Sequence, residues 1–172
     1  VNQHFYAVKF DAEQKDSIVF NNHTFRYVPN GRRGFHELAY ALVDGQMSYP
    51  TLVYLTPKME RIMISPNSVV GLPPAQNEGR STTIVQQSGS ILLEVEKRNV
   101  QHFQVETPFL AAVVKGTQFR VSVNKGESHV DVVRGQVEVT DLKSGQFALV
   151  TPGQAAHAFS QGSSGLSLSG SG

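Results

Sequence analysis

The sequence predicts a mainly β protein: a short-strand β-solenoid-like or sandwich module, preceded by a small N-terminal α+β subdomain containing one short helix. From about residue 49, apolar runs of four to six residues alternate with glycine-containing turns, a spacing typical of β-rich architectures. Helical periodicity occurs once, before that point, and several prolines between 57 and 74 rule out long helices after it.

Residues 1–48 form the predicted α+β subdomain. Alternating aromatic residues at 4–10 predict a strand. Segments 17–20 and 24–28 predict a hairpin, because the asparagines between them tolerate the positive φ of a tight turn. An apolar stripe at helical spacing then predicts a short helix that Gly45 ends. The stripe consists of Phe35, Leu38, Ala39, Leu42 and Val43.

Residues 49–160 form the predicted β-repeat domain, and residues 161–172 a Gly/Ser-rich linker or tail. Apolar alternation marks nine strands in the domain. They are 51–55, 61–64, 82–85, 90–95, 103–106, 111–114, 118–123, 129–133 and 136–139.

A recurrence of nineteen residues accompanies these strands. The segment Val113-Val114-Lys115-Gly116 returns as Val132-Val133-Arg134-Gly135. That length fits one coil of a β-solenoid or one hairpin of a meander. Glycine turns in a sandwich or barrel give similar spacings, so these architectures stay open as alternatives.

Composition excludes several functional classes. Net charge is +1 and the basic residues are scattered, which argues against nucleic acid as a partner. The absence of cysteine excludes disulfides, thiolate zinc sites and cysteine nucleophiles. No apolar run reaches the length of a membrane span. Because the chain begins Val1-Asn2-Gln3, we expect it to be a processed or excised part of a larger protein.

Six segments in the second part of the chain follow a recognisable order: 66–72, 89–95, 103–108, 115–121, 129–139 and 151–154. The fourth contains Gly-Thr-x-Phe-x-Val, and the last contains Pro-Gly-Gln. In this order and spacing, residues from about 59 to 158 resemble the FecR family of the bacterial envelope.

The residues that carry this resemblance suit structural roles. Glycine permits bends or positive φ between strands, Thr117 can bond a turn, and Phe119 can fill a core. We therefore expect a structural signature at Gly89, Gly116, Thr117, Phe119, Gly135 and Gly153.

The resemblance implies a non-enzymatic protein–protein interaction or scaffold module of an exported envelope protein, periplasmic or on the cell surface. Its partners would be envelope proteins, within a larger assembly. One alternative is the periplasmic sensor of a FecR-like transducer that relays a siderophore-transporter signal to a sigma factor. Another is a glycan or cell-wall binding module, which the absence of tryptophan disfavours.

No catalytic, metal or cofactor residues are predicted. The six histidines lack i, i+4 or His-x-His spacing, and surface or half-buried positions are expected for them. Neither a Gly-x-Ser-x-Gly elbow nor a phosphate-binding loop occurs.

Two kinds of residue in the first subdomain are candidates for partner binding. Arg32 and Arg33 could grip an anionic partner through their guanidinium groups, and Tyr27 and Phe35 belong to an aromatic-rich segment. A further expectation is a sheet edge open to strand addition, formed by Leu52, Tyr54, Ile62 and Ile64.

Overall fold

A computed structural model describes residues 5–73, 81–162 and 165–170. Strands account for 52% of the chain and helix for 4%. This confirms the mainly β fold with one short helix. The chain divides into two compact units, Val1–Val53 and Tyr54–Gly172.

The first unit contains two hairpins and the helix. Its elements are β1 (Ile18–Phe20), β2 (His23–Phe25), β3 (Tyr27–Asn30), β4 (Arg33–His36) and α1 (Glu37–Leu42). Strands β1 and β2 pair antiparallel across Asn21 and Asn22, both of which have positive φ. The predicted hairpin is therefore confirmed. The strand predicted at 4–10 is wrong for residues 5–10, which carry no strand, and residue 4 lies outside the described residues.

Helix α1 begins later than its apolar stripe predicts. Phe35 lies on β4, paired with Val28, so its place on the helical stripe is wrong. His36 is extended, and its Nδ1 accepts the N–H of Leu38 at 3.2 Å, which caps the helix. The cap overrides the periodicity because it satisfies an N–H that the first helical turn leaves free.

Strand β5 (Leu52–Leu55) spans the boundary between the units. The second unit continues with eleven strands among its described residues. They are β6 (Arg61–Ile64), β7 (Val69–Gly71), β8 (Thr82–Glu94), β9 (Phe103–Glu106), β10 (Leu110–Val114), β11 (Gln118–Asn124), β12 (Glu127–Arg134), β13 (Val137–Asp141), β14 (Phe147–Val150), β15 (Gln154–Phe159) and β16 (Ser167–Gly170).

These strands form two sheets that share β8. The front sheet runs β7, the first part of β8, β9, β10, β13, β14. The back sheet runs β6, the second part of β8, β11, β12, β15, β16. All these pairs are antiparallel except β8 with β9. The chain passes between the sheets five more times, after β6, β8, β10, β12 and β14.

Strand β8 replaces two predicted strands. The sequence predicts a turn at Ser88-Gly89 between separate strands, whereas one thirteen-residue strand runs through it. Gly89 has a φ of +87°, and the bend there lets the strand leave one sheet and enter the other.

The core lies between the two sheets. Alternate residues of each sheet point inward and are fully or almost fully buried, as the period of two requires. The largest of these aromatic and aliphatic side chains are Phe103, Phe119, Ile62, Ile84, Ile91, Leu93 and Leu110. Antiparallel pairing around a shared core fits the predicted sandwich, curled here into a half-barrel, and does not fit the solenoid, whose stacked coils would pair parallel strands.

Two further expectations are corrected by the pairing. Strand β6 is paired with both β5 and β8 and carries the buried Ile62 and Ile64, so these two residues do not form an open edge. Leu52 and Tyr54 lie on β5, which pairs with β6 alone among the described strands. Residues 167–170, predicted as part of the Gly/Ser tail, form β16 against β15.

Candidate protein-docking cleft

A concavity of about 1120 Å³ lies at the end of the sandwich where the chain crosses between sheets. Four segments of the second unit surround it: the turn 56–60, the connection 95–102, the bend 115–117 and the bend 135–136. We call this concavity the end cleft. It continues onto the outer face of the front sheet, past Val113 and Glu138 to Leu149.

The floor of the end cleft is made by the two bends of the nineteen-residue recurrence. Gly116 and Gly135 lie side by side, and a Cβ on Gly135 would stand 2.8 Å from the Gly116 carbonyl oxygen. A Cβ on Gly116 would collide with the backbone of Lys97. The recurrence therefore corresponds to two adjacent crossings between the sheets, each of which needs glycine at its closest approach.

Thr117 joins these bends. Its buried hydroxyl donates to the carbonyl oxygen of Gln136 at 2.9 Å. Its backbone exchanges two hydrogen bonds with Val95, at 3.0 and 3.1 Å. Phe119 follows with its ring fully buried between the sheets. These residues fix the floor and expose no reactive group to the cleft.

The inner wall holds a buried carboxylate. Glu60 is 3% exposed, and its Oε1 lies 3.1 Å from Nε2 of His102. Its Oε2 accepts the hydroxyl of Thr56 at 3.2 Å, and Arg98 Nη2 lies 3.6 Å from Oε1. The other ring nitrogen of His102 lies 3.1 Å from the carbonyl oxygen of Val100. A charge buried this deeply needs such partners, and these contacts tie the turn 56–60 to the connection 95–102.

Burial, and to a smaller extent the nearby charge of Glu60, raises the pKa of the Tyr54 hydroxyl above its ordinary value. The phenol therefore stays protonated as a neutral group beside the wall. It adds no charge to the cleft at neutral pH.

Two more carboxylates of the cleft are paired. Glu94 bridges Arg61 and Arg134, the latter with Nη2 at 3.3 Å. Glu96 lies 3.7 Å from Arg98. By contrast, Lys58, Lys97 and Lys115 are exposed and make no ion pair within the described ranges. The rim thus carries three lysines without an ion-pair partner among the described side chains, and the lining as a whole, with five cationic and four carboxylate side chains, has a net charge of +1.

Two signature residues lie away from the cleft lining. Gly89 sits at the bend of β8, where a Cβ would collide with Ser68. Gly153 has a φ of +84° at the crossing from β14 to β15, where its N–H donates to the carbonyl oxygen of Val132. Both serve the fold.

The four predicted partner-binding residues belong to the first unit. Arg32 is exposed in the turn between β3 and β4, and Arg33 is exposed at the first position of β4. The ring of Tyr27 lies over Gly34, and Phe35 stacks on Tyr40 with ring centroids 5.1 Å apart. The cleft is lined by residues of the second unit only.

The histidines differ from the expectation of surface or half-buried positions in two cases. His36 and His102 are buried, one as a helix cap and one against Glu60. His129 and His157 are half-buried and stack with centroids 5.0 Å apart. Across the described ranges, no group of three or more histidine and acidic side chains is arranged to hold a metal ion.

Sequence reasoning missed Glu60 and His102. They are forty-two residues apart, and neither belongs to a motif or stands out by periodicity. Strand β14 was missed as well. It ends the front sheet, where Phe147 and Leu149 are 71% and 53% exposed. No helix in the described parts of the chain is long and apolar enough to cross a membrane.

The structure of this chain is similar to solved structures of other proteins. Two crystal structures of a candidate anti-sigma factor from Parabacteroides distasonis ATCC 8503, at 1.65 and 2.50 Å resolution, resemble it with a TM-score of 0.61. Sequence identity is 16%, so the likeness concerns the fold alone. It covers 70% of this chain and 55% of that protein, so this chain spans about half of its length. No curated protein matches the chain.

A family model described as FecR protein matches residues 53–138, half of the chain. The matched segment runs from β5 into β13 and includes the two bends that form the floor of the end cleft. It also includes Glu60 and His102, which the sequence motifs did not reveal. The chain therefore belongs to the FecR protein family.

Proposed function

We propose that this chain carries the docking module of a FecR-type signal relay in the cell envelope. The module binds a protein partner, and its bound state is passed to a regulatory segment of the longer protein. The observation that carries this proposal is the family match over residues 53–138, which contains the floor and most of the walls of the end cleft. The anti-sigma description of the structural neighbour supports the same class of function.

The chemistry of the cleft favours binding over catalysis. Its buried Glu60 is held by three partners, and its floor is made of backbone and a buried hydroxyl. A nucleophile beside a general base, the usual arrangement for covalent catalysis, is not found among the cleft residues. This composition supports a binding role for the cleft.

An affinity experiment tests this proposal. The purified chain is immobilised and exposed separately to envelope and cytosolic fractions of the native host. We expect saturable capture of a discrete envelope protein. Deleting the gene of that protein should leave the regulated genes unresponsive to their signal. Capture of cytosolic proteins alone would contradict the proposal.

A scaffold role is the second candidate, and strand β14 is the observation that favours it. Its outer edge has no strand partner within the described sheet, and its two large apolar side chains are exposed. A partner strand could extend the sheet there. Replacing Phe147, which lies outside the end cleft, by lysine should then weaken assembly, measured by light scattering, without loss of regulated transcription.

A further inference from the structure

We propose that the end cleft binds an extended acidic segment of the protein partner, whose carboxylates pair with Lys58, Lys97 and Lys115. This inference rests on the proposed docking function and specifies the chemistry of the partner. It follows from the charges, the fixed frame and the shape of the cleft.

The charges of the cleft are unequally satisfied. Glu60, Glu94 and Glu96 each have a cationic partner within the cleft or beside it. The fourth carboxylate, Glu138, lies 3.5 Å from the amide nitrogen of Gln101. The three exposed lysines have no such partner among the described side chains. A ligand that supplies carboxylates would complete the set, and complementary charge also speeds encounter.

The lysines stand on a cross-linked frame. The carbonyl oxygen of Lys115 accepts the N–H of Arg98 at 2.6 Å, and Lys97 packs against Gly116. Lys58 lies in the turn 56–60, which the Glu60–His102 contact ties to the same connection. The three hydrogen-bonded segments that carry the lysines keep a fixed backbone spacing, so no loop has to be ordered when a ligand binds, which lowers the entropic cost of binding.

The shape favours a peptide segment over a small molecule. At about 1120 Å³ the cleft is slightly larger than pockets that enclose drug-sized ligands, and it is open. Its extension crosses the front sheet along one row, because Val113 is opposite Glu138 and Glu138 is opposite Leu149. An extended segment in this row would set an apolar side chain against Val113 or Leu149 and its acidic residues toward the lysines.

Fluorescence anisotropy with a labelled peptide of about eight residues, mostly Glu with two Leu, tests this inference. The comparison peptide carries Gln in place of Glu. We expect the acidic peptide to bind at least about tenfold more tightly than the Gln peptide, and to weaken as salt is raised, because exposed charges are screened.

A matched pair of variants locates the binding. Lys97→Glu/Lys115→Glu should weaken binding at least about tenfold, since each exposed ion pair contributes up to about a factor of five and reversal adds repulsion. Lys125→Glu/Lys143→Glu makes the same change in net charge at the opposite end of the sandwich, in the turns after β11 and β13. It should change the dissociation constant by less than about twofold. Thermal unfolding checks that both variants fold, and Lys115→Gln provides a milder substitution.

Three results would overturn the inference: equal binding of the Glu and Gln peptides, equal weakening by the two double variants, or no binding by the wild-type chain. The affinity capture separates this inference from the proposed function. If the Lys97→Glu/Lys115→Glu variant captures the envelope partner as well as wild type does, the docking function stands and the cleft is not its site.

Discussion

At the scale of single residues, Asp141 closes the turn between β13 and β14. Burial disfavours its charge, but hydrogen bonds from the Ser144 hydroxyl and from the backbone N–H groups of Ser144, Lys143 and Gly165 outweigh this and lower its pKa below the ordinary 3.8. A carboxylate with a lowered pKa stabilises the fold above its unfolded-state value. That contribution is lost as pH falls through the folded-state pKa.

We expect Asp141→Asn to lower the free energy of unfolding at pH 7 by about 1–3 kcal/mol, because it removes a charged acceptor of several hydrogen bonds. The difference from wild type should shrink as pH falls below about 4, where the native carboxylate also becomes neutral. Urea unfolding at several pH values measures this. Glu106→Gln, an exposed change of the same kind, is the control. A difference that stays constant down to pH 2 would contradict the assignment.

Two glycines with positive φ, Gly135 at the floor of the end cleft and Gly145 in the turn after β13, give a second prediction at this scale. Gly135→Ala must place a Cβ 2.8 Å from the Gly116 carbonyl oxygen at a φ of +88°. Gly145→Ala has a similar φ of +73° but open space around the new Cβ. We expect Gly145→Ala to cost about 1 kcal/mol for backbone strain alone, and Gly135→Ala to cost clearly more. Thermal unfolding of both variants decides, and equal losses would show that the close approach at the floor is absent.

At the scale of elements, β16 differs from the other strands of the back sheet. All four of its residues are exposed, and Ser-Leu-Ser-Gly has low strand propensity. Its pairing with β15 is therefore supported by little buried surface. By contrast, β12 lies between two strands and carries three buried side chains.

Hydrogen–deuterium exchange should reflect this contrast. We expect amides of β16 to exchange orders of magnitude faster than those of β12, because opening of β16 exposes almost no apolar area. Mass spectrometry of peptic fragments resolves the two segments. Similar protection in both would mean that β16 is an integral strand of the sheet.

Much of this architecture could be predicted from local patterns. Strands such as β11 and β12 alternate with a period of two, and glycines mark the bends, so their existence follows from the sequence. Strand β8 was divided wrongly because Gly89 indicates a turn in sequence, whereas its neighbours continue pairing on both sides. Strand β16 has no local signal, because only pairing with β15 makes it a strand.

Only part of the end cleft could be predicted from the sequence, because local patterns do not reveal contacts between distant residues. Its floor comes from glycines with a visible recurrence. Its wall depends on Glu60 meeting His102 across the fold, and no spacing rule foresees that contact.

At the scale of the whole molecule, the FecR-type unit combines a fixed sandwich with an open cleft at one end, whose rim carries three lysines that make no ion pair among the described residues. The family match and the cleft coincide on the same crossings between sheets. The opposite end carries the turns with Lys125 and Lys143, and the concavity beside the second of these turns is smaller, about 520 Å³. A partner that recognises the end cleft would therefore contact this end of the sandwich and not the opposite end.

Photo-cross-linking in the native host tests this central claim most directly. A photoreactive amino acid replaces Lys115 at the cleft or Lys125 at the opposite end, and the cross-linked products are compared on a denaturing gel. We expect position 115 to trap a discrete envelope protein and position 125 to trap none. Cross-links of equal yield at both positions, or at position 125 alone, would contradict docking at the end cleft.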